Sequence, residues 1–490
     1  MKVAFVHVPI RHHGFSENLK VVDEEFTFSP PIVLAYVAAI AEKSGSKVIL
    51  IDAAALKLSK EQVRKKLEIF RPDFIMFRLD TYCFHDTLDW IRFLKKAIGV
   101  PVIAGGINFS LYPRETMSYS EIDFGFIGEA VETLPEFLEN FPGGKYKHIA
   151  GLCRRNEKDE VIINPANLKL ADFDSYPFPA RHLLPNQLYH SFVSQRKNFT
   201  IMLTSTGCPW KCTFCAIAGL AHYRERSAES VLAEIEKCYY DFDVREIDFF
   251  DATFFVNRER CLKIFEGIIK RKLDINWTCR SRVDLVDEEI LRAAKKSGLR
   301  MVFWGIESGN AGTLENINKE INLSQTEKAI AVSRKLGIRN LGFLMAGNPG
   351  EKAKDAKETL KWAKKLKLDF VQICRAIPKP GSKMHFDVVR ETGYDYWKEF
   401  VLGREGEKRI YVPGVALSQR KIESLLKKMY YGFYFRPVFI LRTLTRLRSF
   451  GELARYVKVA LRMIGHYFHT DIGAAGKPDF VKKSAHSGEG

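Results

Sequence analysis

The sequence lacks any long hydrophobic run. No apolar stretch among its 490 residues reaches the roughly 18–20 residues that a membrane-spanning helix needs. The N-terminal residues, Met1-Lys-Val-Ala-Phe-Val-His-Val-Pro9, have the pattern of a strand entering a fold and lack the shape of a signal peptide. Because the chain is too long for one ordinary core, we expect a globular protein of two or three domains.

Cysteine is also scarce, with nine residues in the whole chain. Six are scattered singly, mostly within apolar runs, and are expected to pack in the core: Cys83, Cys153, Cys238, Cys261, Cys279 and Cys374. The other three, Cys208, Cys212 and Cys215, stand together as C-x3-C-x2-C directly after a predicted strand. So dense an array in so cysteine-poor a chain predicts a site.

The cysteine triplet has no second cysteine pair nearby. A structural zinc site needs four closed ligands in paired spacings, and a disulfide needs an oxidising compartment and usually a small secreted fold. Three thiolates on a turn suit instead three irons of a cubane iron–sulfur cluster, with the fourth iron open to a small molecule. An oxygen-sensitive cluster and unpaired cysteines indicate a reducing cytoplasm.

Short apolar runs alternate with helical patterns over the first 145 residues. The runs begin at Lys2, Lys47, Phe74, Val100 and Ile122, and helices are predicted at about 31–44, 60–70, 86–97 and 131–140. This alternation predicts an α/β domain with a doubly wound parallel sheet. Gly105-Gly106 and Gly128-Glu129 follow two of the strands, where glycine permits either a tight turn or the close approach of a cofactor.

A second βα series follows a connector at residues 146–198, in which 149–165 reads as a hairpin. Its predicted strands are 199–206, 246–252, 274–280, 301–306, 340–346 and 369–377, with helices starting at Ser227 and Asn322. Six repeats predict a partial (β/α)6 barrel, open on one side. The cysteine triplet follows the first strand, and ligands gather at this end of parallel strands.

Together these residues resemble the radical S-adenosylmethionine superfamily, specifically its cobalamin-binding branch. The C-x3-C-x2-C loop has an aromatic residue, Phe214, before its last cysteine, and three further segments resemble the family's ligand loops: 248–254, 304–309 and 342–351. The resemblance covers nearly the whole chain. It implies a cobalamin-binding domain at 1–145, a connector at 146–198, a radical domain at 199–385, a basic helical domain at 386–470 and a disordered tail at 471–490.

The resemblance implies a 4Fe–4S cluster held by the cysteine triplet, with S-adenosylmethionine bound at the open iron. One-electron cleavage then gives a 5′-deoxyadenosyl radical. Phe214, Asp251, Glu307 and Gly347 are the implied neighbours of S-adenosylmethionine. From the residues alone two alternatives stay open: Asp251 caps the next turn, and Glu307 pairs with Arg280 or Arg282.

For cobalamin, the base-off signature Asp-x-His-x-x-Gly is absent, since His12-His13-Gly14 and His148-Ile-Ala-Gly151 lack the preceding Asp. The resemblance places eight residues at the corrin, in the loop after the third strand and along the remaining rim: Arg78, Thr81, Tyr82, Gly105, Gly106, Ser110, Gly128 and Glu129. The alternative is a domain that has lost cobalamin and serves as a scaffold.

The chain is short of acidic residues, with 59 Asp and Glu against 76 Lys and Arg, a net charge of +17. Residues from about 416 to 470 are basic, aromatic and helical in period, and Arg455, Lys458 and Arg462 continue the pattern. Three interpretations of this segment compete. It is a helical cap over the open side of the barrel, a surface helix on anionic lipid, or a segment that binds nucleic acid. Because no RNA-binding module is recognisable, we favour a cap near a membrane and disfavour nucleic acid.

The resemblance implies an enzyme that methylates an unactivated carbon of a hydrophobic, lipid- or tetrapyrrole-like substrate, with reduced flavodoxin or ferredoxin as electron donor. The motifs do not separate methylation from radical cyclisation or rearrangement. A non-catalytic iron–sulfur or cobalamin-binding protein stays open as another class, although an electron carrier favours a fully ligated cluster. A tRNA-modifying radical enzyme is a third alternative, weakened by the missing RNA module.

Overall fold

Two predominantly parallel sheets flanked by helices make up the fold, as the sequence predicts. The computed structural model describes residues 1–10, 29–166, 170–191, 193–404, 410, 412, 414–415 and 417–445, and the single positions 453, 457 and 461.

The first sheet has seven strands in the order β2-β1-β3-β4-β5-β6-β7. They are β1 (Lys2–His7), β2 (Lys47–Asp52), β3 (Phe74–Arg78), β4 (Val102–Gly105), β5 (Phe124–Phe126), β6 (Leu152–Arg155) and β7 (Val161–Ile163). The first five are parallel, and β6 and β7 form an antiparallel hairpin on the β5 edge. The predicted connector therefore contributes its hairpin to the first sheet.

In the described residues six α-helices belong to this first domain, and the four longer ones lie close to their predicted positions. They are α1 (Ile32–Lys43), α2 (Lys60–Phe70), α3 (Phe84–Ile98), α4 (Ile107–Leu111), α5 (Pro113–Met117) and α6 (Ala130–Asn140). The strand order reverses between β1 and β3, so the carboxyl ends of these two strands open a crevice of the kind in which doubly wound sheets bind ligands.

The second sheet has six parallel strands arranged in sequence order, which confirms the partial (β/α)6 barrel. They are β8 (Phe199–Met202), β11 (Glu246–Phe249), β12 (Asn276–Ser281), β13 (Leu299–Glu307), β14 (Arg339–Ala346) and β15 (Phe370–Arg375). Within the described residues β8 and β15 do not pair, so the barrel is open between its first and last strands. A short antiparallel ribbon, β9 (Ser205–Thr206) with β10 (Arg224–Glu225), brackets the cysteine loop.

The barrel helices alternate with these strands. They are α7 (Ala216–Leu220), α8 (Ala228–Asp241), α9 (Arg258–Lys270), α10 (Glu288–Lys296), α11 (Ala311–Asn316), α12 (Leu323–Lys335) and α13 (Ala353–Lys365). Ser227 accepts a hydrogen bond from Ser230 N at the start of α8, and Asn322 forms a capping box with Gln325 at the start of α12. Both predicted helix starts are confirmed.

After β15 the chain returns to the first domain through an arm made of α14 (Lys383–Thr392) and α15 (Tyr396–Val401). Trp397 and Val401 are fully buried in the first domain's hydrophobic core. The Trp397 indole donates to Pro378 O at 2.6 Å, and its ring meets that of Tyr82 edge-on at 5.1 Å. The arm thus fastens the barrel to the first domain.

The helix α16 (Gln419–Tyr434) covers the open edge of the barrel. Its apolar face joins the main barrel core, and its tyrosines bond to the edge strand: Tyr430 Oη accepts from Ile373 N at 2.9 Å, and Tyr434 Oη accepts from Val371 N at 3.0 Å. The last described helix is α17 (Pro437–Leu444). Arg455, Lys458, Arg462 and the predicted tail at 471–490 lie outside the described residues, as do His12, His13 and Gly14.

None of the helices in the described part of the chain is both long and apolar enough to cross a membrane.

Candidate active site

The cysteine loop, residues 207–215, runs from the ribbon strand β9 to helix α7. Gly207 adopts a φ of +74°, and a Cβ there would lie 2.2 Å from the carbonyl oxygen of His222, so the loop can begin in this position only with glycine. Thr213 N donates to Ile317 O at 3.0 Å, and Met384 N donates to Thr213 O at 2.8 Å. The loop is therefore held from both the barrel and the arm.

The three thiols lie in a partly buried, positively charged setting. Cys212 is buried, while Cys208 and Cys215 are half-buried. Burial raises the pKa of the Cys208 and Cys212 thiols, and the positive charges of Arg282 and Lys319 oppose that rise. Burial outweighs the two cations, but Arg282 and Lys319 act toward thiolate, the form that binds metal, at these two cysteines.

A cluster fits this loop better than a single ion does. Among the described residues, no three His, Cys, Asp or Glu side chains are arranged to hold one metal ion. A cubane cluster asks for a different arrangement, because each thiolate binds its own iron. Nη1 of the buried Arg282 also lacks a hydrogen-bond partner among the described residues. Such a donor beside the thiols suits an anionic group.

Glu307 lies at the carboxyl end of β13 in a strained conformation. Its φ is +65°, which is uncommon for a residue other than glycine, and the strand register shifts just before it. Its carboxylate is buried and pairs with the ammonium of Lys319 at 3.1 Å. The predicted alternative of an arginine partner is wrong.

The two arginines considered for Glu307 have other carboxylate partners. Arg280 binds Asp248 through two hydrogen bonds of 2.8 and 2.9 Å, and Arg282 binds Asp284 at 2.9 and 3.0 Å. Arg282 also stacks on the Trp210 ring at 4.5 Å, within the cysteine loop. Lys319 escaped the sequence reasoning because it follows Glu307 by twelve residues in a loop with no motif of its own.

Asp251 is fully buried and supports the strand that leads into the cysteine loop. Its carboxylate accepts hydrogen bonds from Thr204 N at 2.7 Å, from Ser205 N at 3.1 Å and from the Thr204 hydroxyl. Burial raises the pKa of this carboxyl group. Its observed partners thus precede the cysteine loop, whereas the predicted alternative was a cap on the turn that follows Asp251.

Phe214 and Gly347 both lie close to the carboxyl end of β14, Phe214 through a small apolar cluster and Gly347 in the turn after the strand. Phe214 packs with Met345 of β14 and with Ile317, which accepts the backbone bond from Thr213. Gly347 adopts a φ of +81°, and its N–H donates to the buried Glu351 at 2.6 Å. Burial raises the pKa of the Glu351 carboxyl, which also accepts from Asn348 N.

The carboxyl ends of β13 and β14 thus bring Phe214, Glu307 and Gly347 to the same side of the barrel, beside the cysteine loop. Asp251 lies behind the loop, between β8 and β11. Glu351 forms the Gly347 turn, and the glycine followed four residues later by glutamate is the sequence signal that could have found it.

The crevice between β1 and β3 contains a cavity that includes Arg78. The cavity is also lined by His7 and Asp80, by Pro31 before α1 and by Thr87 of α3. Arg78 forms an ion pair with Asp80 at 3.0 Å. Sequence reasoning missed His7, although its position at the end of the first strand is a signal that could have found it.

His7 is supported by a buried carboxylate. Its Nδ1 lies 3.0 Å from Asp52 Oδ1, and Tyr189 donates to Asp52 Oδ2 at 2.8 Å. Burial acts to raise the pKa of Asp52, but the hydrogen bonds from His7, Ala55 N and Tyr189 outweigh it and hold the pKa below its usual value. The crevice wall is therefore a fixed polar surface.

Thr81, Tyr82 and Gly106 lie within the packing of the first domain. The Thr81 hydroxyl is buried and donates to Asn108 Oδ1 at 3.1 Å, Tyr82 packs on Trp397, and a Cβ on Gly106 would lie 2.7 Å from Leu79 O. Their packing supports the carboxyl-end edge of the first sheet, where the other predicted corrin contacts lie.

Ser110 and Gly128 are exposed at this edge, Gly105 is half-buried, and Gly128 has open space where a side chain would stand. Glu129 accepts hydrogen bonds from Tyr176 and Arg224, so it links the edge to the connector and to the ribbon beside the cysteine loop. The edge is therefore accessible at Ser110 and Gly128 and tied at Glu129.

Known families match the two domains in the order found here. The family described as "B12 binding domain" matches residues 21–138, and the "Radical SAM superfamily" matches residues 202–363. The chain is 30% identical over 446 residues to an uncharacterized methyltransferase of Pyrococcus horikoshii, an alignment covering 89% of this chain and 94% of that one.

Two further proteins resemble the chain over most of its length. It is 27% identical over 403 residues to the anaerobic magnesium-protoporphyrin IX monomethyl ester cyclase of Rubrivivax gelatinosus, covering 80% of this chain and 70% of the cyclase. Its fold matches the cobalamin- and cluster-bound radical S-adenosylmethionine methyltransferase TsrM of Kitasatospora setae, with a TM-score of 0.70 at 15% identity over 95% of this chain and 99% of TsrM.

The Pyrococcus relative aligns with nearly the whole chain, and both family matches fall on domains that the structure shows. Cobalamin is thus a cofactor of the protein, and the scaffold and non-catalytic alternatives no longer stand. The chain belongs to the cobalamin-dependent radical S-adenosylmethionine enzymes, which use a 4Fe–4S cluster, S-adenosylmethionine and cobalamin.

Proposed function

We propose that the protein methylates an unactivated carbon of a hydrophobic, lipid- or tetrapyrrole-like substrate. The observation that carries the methyl transfer is the similarity to a methyltransferase over 89% of this chain and 94% of the relative. The observation that supports the substrate class is the apolar interior of the barrel.

That interior is lined by aromatic side chains. Along β13, Val302 and Trp304 belong to the core beneath the helices, so Met301 and Phe303 face the opposite side of the sheet, into the barrel. Phe303 stacks with Phe343 of β14 at 6.2 Å between ring centroids. Met301 and Phe303 are buried in this packed interior, and an apolar substrate that meets its exposed end gains binding energy from burial of apolar surface.

At the carboxyl end of β11, Phe250 extends this apolar surface to the mouth of the barrel. It is 45% exposed, and the Arg280 guanidinium stacks on its ring at 4.0 Å. Because Asp248 binds Arg280 through two hydrogen bonds, the guanidinium is fixed and holds the ring in place. An exposed ring held in this way offers a contact for an apolar substrate.

Each cofactor has a set of residues that suits it. When bound, the cluster and S-adenosylmethionine supply the one-electron chemistry that activates a carbon, and cobalamin supplies the methyl group. Cys208, Cys212 and Cys215 would hold the cluster, and Glu307 with Lys319 would orient the polar groups of S-adenosylmethionine.

Arg78, Gly105, Ser110 and Gly128 would contact the corrin at the edge of the first sheet. The remaining role of the protein is to fix these groups relative to one another and to exclude water from the reacting centre.

Radical cyclisation without methyl transfer is the second candidate. The similarity to the Rubrivivax cyclase over 80% of this chain favours it. The two reactions differ in the fate of the methyl group, since only methylation converts S-adenosylmethionine to S-adenosylhomocysteine in step with product.

An anaerobic assay with methyl-deuterated S-adenosylmethionine separates them. The enzyme is loaded with iron, sulfide and cobalamin, reduced with dithionite and incubated with a lipid extract or with magnesium-protoporphyrin IX monomethyl ester. We expect a product carrying the deuterated methyl group and an equal amount of S-adenosylhomocysteine. An unlabelled cyclised porphyrin would assign the second reaction instead.

The substrate class also suggests where the protein works. We propose that it is cytoplasmic, receives electrons from reduced flavodoxin or ferredoxin, and makes peripheral contact with an anionic membrane through α17. Val438 and Leu441 of this helix are 77% and 65% exposed. Burial and the neighbouring positive charge of Arg442 lower the pKa of Arg436. Burial also lowers the pKa of Lys364, and the positive charge of Arg436 adds to that lowering.

Arg442 is paired with Asp369 at 3.7 Å, which leaves Arg436 and Lys364 as the cations that, beside exposed apolar residues, match the headgroup region of an anionic bilayer. Co-sedimentation with vesicles tests this contact. We expect binding to phosphatidylglycerol-containing vesicles that salt weakens and that the double substitution Val438→Glu, Leu441→Glu abolishes. Equal recovery with neutral phosphatidylcholine vesicles, or full binding by the double variant, would contradict the proposal.

A further inference from the structure

Tyr112, His385 and Asp395 form a buried polar cluster where the first domain meets the arm. The Tyr112 hydroxyl donates to the Asp395 carboxylate at 3.1 Å, and His385 Nε2 lies 3.0 Å from Asp395 Oδ1. Gly381 N donates to His385 Nδ1 at 3.2 Å, so the imidazole proton resides on Nε2 and is donated to Asp395. Tyr112 and His385 are only 5% and 3% exposed, and Asp395 is half-buried, so the cluster lies within the interface.

Tyr112 connects the polar cluster to the edge of the first sheet where the predicted corrin contacts lie. Tyr112 ends α4, the helix that carries Ser110, and its N–H donates to Asn108 O at 2.8 Å. The Asn108 side chain accepts from Thr81 in the loop after β3 and donates to Thr116 at 2.6 Å. A displacement of the loop after β3 or of Ser110 would therefore shift the Tyr112 ring.

His385 connects the polar cluster to the cysteine loop. His385 lies in the first turn of α14, and the residue before it, Met384, donates its N–H to Thr213 O, between Cys212 and Cys215. The backbones also touch at Gly219 and Gly381, since a Cβ on Gly219 would lie 2.3 Å from Gly381 O. The start of α14 and the cysteine loop therefore move together.

Asp395 connects Tyr112 of the first domain to His385 and to the start of α15 in the arm. Its carboxylate accepts the bonds from Tyr112 and His385 and also caps α15 through Trp397 N and Lys398 N, each at 3.0 Å. Burial acts to raise the pKa of Asp395, but the hydrogen bonds from His385, Lys398 N and Tyr112 outweigh it and hold the pKa below its usual value. A charged carboxylate with four donors is a rigid junction.

We propose that Tyr112, Asp395 and His385 are positioning residues that couple cobalamin binding at the first domain to the ordering of the cysteine loop. The inference rests on the cofactor positions proposed above. If one cofactor orders a junction that both need, the second binds without that ordering cost. Linkage then requires the cluster to tighten cobalamin binding by the same factor by which cobalamin tightens cluster binding.

The test is an absorbance titration of hydroxocobalamin into cluster-free and cluster-loaded protein, without substrate or turnover. For the unsubstituted protein we expect the cluster to tighten cobalamin binding roughly 5- to 100-fold, the usual range of such couplings. In Tyr112→Phe, which removes one hydroxyl and little volume, we expect this ratio to fall to about 1–2. The iron retained at equilibrium against increasing chelator, with and without cobalamin, should show the same loss of coupling from the other side.

Tyr119→Phe is the matched control. Tyr119 also donates across this interface to the arm, to Val401 O at 2.6 Å, and its ring packs with Phe84 and Arg92. We expect the control to keep the full coupling ratio. A ratio of one in the unsubstituted protein, an unchanged ratio in Tyr112→Phe, or an equal loss in Tyr119→Phe would each overturn the inference.

Failure of this inference is distinguishable from failure of the proposed function. Protein that binds both cofactors independently keeps its assigned sites and loses only the coupling. Protein that binds neither cofactor at the stated residues overturns both.

Discussion

At the residue scale, the barrel contains buried acidic side chains whose charge is compensated in different ways. Glu234 is fully buried in α8 and lies between Arg226 and Arg181, the latter at 2.6 Å, so two guanidinium groups share one carboxylate. Glu246, at the start of β11, is buried, has no ion pair with any described residue, and instead accepts from Gln195 N and Arg196 N at 2.8 Å each. The two buried acids therefore differ in how their charge is compensated, by guanidinium groups at Glu234 and by backbone donors at Glu246.

Glu246 makes stability depend on pH in an unusual direction. Burial raises the pKa of its carboxyl to about 7, although the backbone donors favour the charged form. Between pH 4.5 and 7 the folded protein keeps a proton that the unfolded chain has released, so folding loses stability as pH rises. A rise of this size corresponds to roughly 3 kcal/mol.

We expect Glu246→Gln to remove this dependence, so that the variant gains about 3 kcal/mol relative to the unsubstituted protein from pH 4.5 to 7.5. Urea unfolding across that range measures the difference. Glu236→Gln, a partly exposed acid paired with Arg271, is the control and should change the difference little. A constant offset between Glu246→Gln and the unsubstituted protein would contradict the raised pKa.

Some residues of the site were predictable from sequence and others were not. The cysteine triplet and Phe214 stand in one local motif, so their placement beside a strand end follows from the sequence alone. The partner of Glu307 does not, because it depends on a positive φ at Glu307 and on a loop twelve residues later. The support of Asp251 for Thr204 and Ser205 likewise joins strands 47 residues apart.

At the scale of elements, the open side of the barrel is closed by α16. An edge strand exposes unpaired N–H and C=O groups, and the Tyr434 hydroxyl serves both on Val371, accepting from its N–H and donating to its carbonyl at 2.6 Å. Arg442 of α17 donates to Lys367 O at 2.8 Å, next to this edge. The basic, aromatic segment thus contributes hydrogen bonds from its tyrosine and arginine side chains to the backbone of the barrel edge.

We expect Tyr434→Phe to leave both Val371 groups without their partner and to destabilise the barrel by about 1–3 kcal/mol. Urea unfolding measures the loss, and faster hydrogen exchange at the Val371 and Ile373 amides would locate it at β15. Tyr240→Phe serves as the control because Tyr240 is 68% exposed. Unchanged exchange at β15 in Tyr434→Phe would show that the hydroxyl does not protect the edge.

Helix and strand positions follow closely from sequence periodicity, as the predicted helix at 31–44 and the observed Ile32–Lys43 illustrate. Membership in a sheet or a core does not. The hairpin Leu152–Ile163 joins the first sheet through pairing with β5, and Trp397 of the arm packs 315 residues away on Tyr82. Such contacts depend on how the domains meet, which no local pattern encodes.

At the scale of the whole molecule, three features hold the two cofactor domains together. Phe199 and Ile201 of β8 join the same hydrophobic cluster as α1, the buried Arg181 donates to Ile201 O at 3.0 Å, and the arm inserts Trp397 into the first domain. The order of the two domains was readable from the sequence, since each has its own motifs. Their relative placement was not, because it rests on these long-range contacts.

The central claim is that the Cys208, Cys212 and Cys215 loop generates a radical in a cobalamin-dependent enzyme. The most direct test is the formation of 5′-deoxyadenosine by anaerobically reconstituted protein given dithionite and S-adenosylmethionine. We expect 5′-deoxyadenosine from the unsubstituted protein and from Cys261→Ala, a buried core cysteine, and we expect neither bound iron nor 5′-deoxyadenosine from Cys212→Ala. No 5′-deoxyadenosine from fully loaded protein, or full iron and activity in Cys212→Ala, would contradict the account.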